Sequence, residues 1–85
     1  MKGVHTEEYD ELFAKLPQNV QKQARKANRL FEVNPNYPSL RFKCIDKEKS
    51  WYSLRVNKSY RAVGIKEGDT IIWFFIGKHS DYDHL

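Results

Sequence analysis

Cysteine is almost absent from this chain. Cys44 is the single one in 85 residues, so no internal disulfide can form, and the expected compartment is a reducing cytoplasm. Long apolar runs are missing too: the longest, residues 71–77, is far too short to span a bilayer, and residues 1–5 lack the apolar stretch of a signal peptide. Glycine and proline number four and three, and there is no low-complexity segment, internal repeat or internal linker. These absences leave a single domain, residues 1–85, with one modest core and no room for a cofactor cleft between lobes. Function is therefore expected on a surface. Neither charge sign dominates: fifteen basic residues are interspersed with eleven acidic ones, and the net +4 and pI near 9.3 favour a polyanionic partner only weakly.

What is present falls into two halves. Thr6 reads as an N-cap, with Glu7 and Glu8 suited to the first turn of a helix, and Tyr9, Leu12, Phe13 and Leu16 then recur at the spacing of one apolar helix face. Pro17 separates this helix from a second and suits its first turn. Val20, Ala24, Ala27 and Phe31 line one side of the second helix, and Lys22, Lys26 and Arg29 form a basic stripe on the other, flanked by Arg25. Asn34-Pro35-Asn36-Tyr37-Pro38 ends the helical half. Four strands are expected after it, over residues 40–45, 51–56, 60–66 and 70–76. The first places Arg41 and Lys43 on one face and makes Cys44, alternating with Leu40 and Phe42, a small core residue. The last is apolar on both faces and is expected to be central and covered on both sides. Trp51, Tyr52, Tyr60 and Trp73 sit at strand positions, where packing explains them better than base stacking. The fold class is α+β: two N-terminal helices on a twisted antiparallel sheet of about four strands, with a short C-terminal tail.

The polar triplet Asn57-Lys58-Ser59 joins two of these strands. If Val56 and Tyr60 face each other across it, Arg55 and Arg61 become cross-strand neighbours on one sheet face. Adjacent like charges repel, so either each arginine pairs with a surface carboxylate or an anion sits between them, for which the guanidinium fork matches phosphate. Beyond the last strand, Gly77-Lys78-His79-Ser80-Asp81-Tyr82 adds an imidazole and a phenol.

Leu16-Pro17-Gln18-Asn19-Val20, Asn34-Pro35, Pro38-Ser39-Leu40, Ser53-Leu54-Arg55-Val56, Tyr60-Arg61-Ala62 and Gly77-x-His79-x-x-Tyr82, in that order and at this length, resemble the RelE/ParE toxin superfamily of bacterial type II toxin-antitoxin systems. The resemblance covers nearly the whole chain. It implies a small domain held inactive by a cognate antitoxin and working without a metal or cofactor. In the RelE-like branch the free toxin enters the ribosomal A site and cuts mRNA; in the ParE-like branch it poisons DNA gyrase. The ending Gly77-Lys78-His79-Ser80-Asp81 is similar to the Gly-x-His-Ser-Asp ending of certain ribosome-dependent endonucleases, in which the histidine is catalytic.

On that resemblance His79 is the expected acid or base, with Arg55 and Arg61 holding the phosphate. Tyr82 would stack on a base or orient the nucleotide, and Asp81 would fix the imidazole. Arg41 and Lys43, with Lys22, Lys26 and Arg29, would track the RNA backbone. The chain departs from the family where several endonucleases carry a glutamate before the first sheet strand or extra histidines in the central hairpin. Here the stretch reads Tyr37-Pro38-Ser39-Leu40, which leaves the proton acceptor open among His79, His5 and His84.

Overall fold

Thr6 is extended, and its hydroxyl accepts the Tyr9 N–H at 3.2 Å, so the expected cap does start α1, Glu7–Ala14. In this computed structural model, which describes residues 1–82 and 85, the order is β1 (Lys2–His5), α1, α2 (Gln18–Val33), a 3-10 turn (Pro38–Leu40), β2 (Lys43–Asp46), β3 (Trp51–Arg55), β4 (Tyr60–Glu67), β5 (Thr70–Lys78) and the single turn α3 (His79–Tyr82). Pro17 is the N-cap of α2 rather than its first residue, and its carbonyl accepts from Val20 and Gln21. Gln21 reaches back from α2 and donates to the Phe13 and Leu16 carbonyls at 3.0 and 3.2 Å, satisfying acceptors that the end of α1 leaves open. The predicted inner face of α2 is the observed one: Val20, Ala24, Ala27 and Phe31 are all buried.

The five strands form one sheet in the order β1-β5-β4-β3-β2. One face carries the helices and the core, in which Phe31 and Trp73 meet edge to face at 5.4 Å beside Tyr9, Leu40, Leu54 and Ile76. Burial pushes the Tyr9 phenol above its usual value, although its oxygen takes a hydrogen bond from Asn28 at 3.4 Å. A bulge in the β4–β5 ladder shifts the register between Val63/Phe75 and Gly64/Trp73, leaving Phe74 extra. Because of that one residue, Ile71, Trp73 and Ile76 all point at the helices despite their unequal spacing.

Three expectations need correction. The extended start of the chain is a fifth strand, paired in parallel with β5 from Lys2↔Thr70 to His5↔Trp73. It makes β5 an interior strand while β4 is the central one, and the helices cover only one face of β5, so Ile72, Phe74 and Phe75 stay half-buried on it. The first predicted strand starts late. Pro38 opens a 3-10 turn, Arg41 follows in the left-handed region at φ 44°, and the strand begins only at Lys43. Arg41 and Lys43 thus do not share a strand face. Cys44 is exposed and not a core residue, because β2 is the short edge of the sheet. The aromatic residues do pack, as expected: Trp73 is in the core, Tyr52 stacks on Phe42 at 5.0 Å, and Trp51 contacts Phe74 at 5.2 Å.

Candidate nucleic-acid interface

Asn57 makes the β3–β4 turn. Its side-chain oxygen accepts the N–H groups of Ser59 and Tyr60 at 2.8 and 2.9 Å, and Val56 N–H donates to the Tyr60 carbonyl at 3.1 Å. That geometry fixes the register, and Arg55 and Arg61 are directly opposed. Alternation puts both on the face away from the helices, with Trp51, Ser53, Val63 and Ile65. Lys43, paired with Ser53, is on the same face.

Of the two ways to balance the arginine pair, a surface carboxylate is not used among the described residues. Among the described residues the single ion pair is His5–Asp10, and both guanidinium groups are instead backed onto main-chain oxygens. Arg61 Nη1 donates to the carbonyls of Asn57 and Tyr60 at 2.7 and 3.1 Å, and Arg55 Nε donates to the same Asn57 carbonyl at 3.4 Å. Neutral oxygens orient the groups without cancelling their charge. The Arg61 guanidinium is consequently pushed below its usual proton affinity, first by partial burial, then by Arg55 and also by Arg41, with the Tyr82 phenol acting in the opposite sense. The charges of Arg41, although it is off the strand, and of Tyr82 both act on Arg61.

The tail is tied to this face. The His79 N–H donates to the Ser59 carbonyl at 2.7 Å, so α3 starts against the hairpin loop, and the rings of His79 and Tyr82 lie 5.1 Å apart at 49°. His79 and Arg61 line one open cleft of about 490 Å³ together with Lys58, Ser59, Lys78 and Ser80. Tyr82 and Leu85 line a neighbouring hollow with Trp51 and Ile45. Gly77, opposite Arg61, leaves room that the Phe75 ring occupies: a Cβ there would meet its edge at 2.9 Å.

The structure thus brings together His79, Arg61, Arg55, Tyr82 and Arg41, with Lys43 further along the same face. Asp81 is exposed in the same turn as His79, and Tyr82 is the described ring partner of the imidazole. His5 does not join them: it sits at the end of β1, hydrogen-bonded to Asp10 at 3.0 Å and packed on Tyr9. His84, the third candidate base, lies outside the described residues. Lys22, Lys26 and Arg29 are exposed on α2 but do not form one rail, since Lys26 faces the hairpin side and Arg29 a groove beside α1. Sequence reasoning missed Asn57, Lys58 and Lys78. An asparagine opening a three-residue hairpin loop was the available signal for the first; the two lysines carry none, because only the return of α3 to the loop gathers them.

Two helices on one face of a five-stranded, mostly antiparallel sheet is the fold of RelE- and YoeB-type toxins. The structure is similar to a chain of the RelB–RelE antitoxin-toxin complex from Methanococcus jannaschii, with a TM-score of 0.72 at 21% identity over 96% of this chain and 98% of that one. It is similar to the YoeB/ParE toxin from Agrobacterium tumefaciens, with 0.71 at 14% over 93% and 99%, and to the intact RelBE toxin-antitoxin complex from E. coli, with 0.68 at 18% over 91% and 94%. The chain belongs to the ParE-like toxin domain family, whose model matches residues 18–84. None of the curated proteins matches the sequence.

Proposed function

We propose that this chain is the toxin of a toxin-antitoxin pair and acts as a metal-independent endonuclease that cuts mRNA on the ribosome, with a cognate antitoxin as its inhibiting partner. The observation that carries the reading is the shared cleft of His79 and Arg61, beside a second arginine whose charge no described carboxylate offsets. Cleavage by the ribose 2′-hydroxyl needs few groups. The 2′-oxygen attacks the adjacent phosphorus and its proton goes to a base; the bond from phosphorus to the 5′-oxygen breaks, and that oxygen takes a proton, giving a cyclic phosphate and a 5′-hydroxyl. The His79 imidazole can give or take a proton, Arg61 with Arg55 stabilises the charge gathered on the phosphorane, and Tyr82 orients the nucleotide. The basic face here fits an acidic or amphipathic antitoxin segment.

The test maps mRNA 5′ ends in a translating extract. Wild type should cut, and His79→Ala and Arg61→Ala should each lower cutting by a factor on the order of a hundred to ten thousand. Both should melt within about 1 kcal/mol of wild type, as expected of exposed or half-exposed polar positions. Arg61 has a further reason: its depressed proton affinity means that the folded state holds this charge less favourably than the unfolded chain does, so removing it costs no lost ion pair. Equal cutting by His79→Ala would overturn the catalytic assignment. No cutting, with gyrase stalled on DNA, would make the chain a gyrase poison, and no growth defect at all would make it a non-toxic binding domain.

A further inference from the structure

We infer that the cleft between α2, the 3-10 turn and the β3–β4 hairpin is a second phosphate subsite, holding a phosphodiester of the same strand next to the one at His79 and Arg61; this rests on the reading of the protein as an RNA-cutting toxin. The cleft measures about 370 Å³, and its polar lining comprises Gln23, Lys26, Ser39, Arg55 and Asn57, two cations and no acid among the described residues.

Its hydrogen-bonding inventory is lopsided. The amide and carbonyl acceptors are engaged internally: Gln23 Oε1 takes the Asn57 amide at 2.6 Å, Asn57 Oδ1 takes two backbone N–H groups, and the Asn57 carbonyl takes both arginines. What remains are chiefly donors. The Lys26 ammonium has three, the Gln23 amide two, and the Ser39 hydroxyl one, while Arg55 commits only Nε and keeps its terminal nitrogens. A site with two cations, no acid and more open donors than acceptors favours an anion with several oxygens, and phosphate accepts from ammonium and guanidinium together.

The position of Arg55 between the two clefts fixes which phosphate this is. Arg55 and Arg61 are directly opposed, so their Cβ atoms stand roughly 5 Å apart. Yet Arg55 lines the α2 cleft and Arg61 the His79 cleft. Both guanidinium groups converge on the Asn57 carbonyl between the clefts, so Arg55 stands beside the phosphate at Arg61 and also lines the place of the next phosphate along the strand. Lys26 thereby becomes the residue that distinguishes a strand from a lone phosphodiester.

The test compares binding of a fully 2′-deoxy dinucleotide, which has one phosphodiester, with that of the matching trinucleotide, which has two; neither can be cut. Wild type should bind the trinucleotide roughly tenfold more tightly, with a salt slope steeper by about 1. Lys26→Ala, at an exposed helix position where alanine is favourable, should erase most of that gain and of the extra slope while leaving dinucleotide binding unchanged. An undiminished gain in Lys26→Ala, or no gain in wild type, overturns the subsite. So does a glutamate-rich peptide that moves the Lys26 and Arg55 NMR signals when the trinucleotide does not, because the cleft would then serve a protein carboxylate. The assay needs neither ribosome nor cleavage. Lost coupling in a protein that still cuts mRNA defeats the subsite alone, and retained coupling in a protein that cuts nothing upholds the subsite and defeats the nuclease reading alone.

Discussion

Asn57 joins three parts of the molecule through one side chain and one carbonyl. Its Oδ1 closes the hairpin, its Nδ2 holds Gln23 of α2, and its main-chain oxygen aims both arginines. Asn57→Ala would leave the Ser59 and Tyr60 N–H groups without their acceptor and free the loop from α2. The expected loss of stability is about 1–2 kcal/mol in urea unfolding, with a larger relative loss of mRNA cutting, because the carbonyl that orients Arg61 moves with the loop. Asn57→Asp keeps the acceptor and should restore most of the stability. If alanine at this position melts and cuts like wild type, Asn57 positions nothing.

Among the elements, the β4–β5 ladder sets where every side chain of the sheet points. Gly64 sits at its bulge, and a Cβ there would come within 2.9 Å of Ile71, of the Ile72 carbonyl and of the Trp73 ring. Backbone cannot yield as a flexible side chain does, so Gly64→Ala is expected to cost about 1–3 kcal/mol by urea unfolding, and an unchanged midpoint would show the bulge to be slack. This ladder also marks what the sequence reveals. The Arg55/Arg61 register was legible because Asn57-Lys58-Ser59 is a local signal bounding two strongly patterned strands. The inner face of α2 was legible because its periodicity is unbroken. Arg41 and Cys44 were misplaced because Leu40, Arg41 and Phe42 alternate like a strand while Pro38 imposes a turn that alternation does not encode. β1 was read only as extended chain: Lys2-Gly3-Val4-His5 has no pattern of its own, and its partner is some seventy residues away. The His79–Arg61 cleft was anticipated as a neighbourhood, but its walls depend on the bond from His79 to Ser59, which joins segments twenty residues apart.

At the scale of the whole molecule, basic residues recur on α2 and on the sheet face of Lys43, Arg55 and Arg61, and eleven acidic ones are interspersed along the chain. Affinity for an antitoxin segment whose carboxylates meet Arg41, Lys43 or Arg61 should therefore fall as salt rises, most steeply in the association rate. Titration by calorimetry at low and high salt checks it, and a flat response would assign the interface to apolar contact. The parallel pairing of β1 with β5 reaches beyond binding. The last strand to be synthesised is the one on which the first strand and α1 both lie, and it is the one that leads into His79. Contacts so distant along the chain form late and slowly. Until residues 70–78 have left the exit tunnel, the N-terminal segments have no sheet edge to settle on, and the nascent chain cannot yet assemble the cleft of His79 and Arg61.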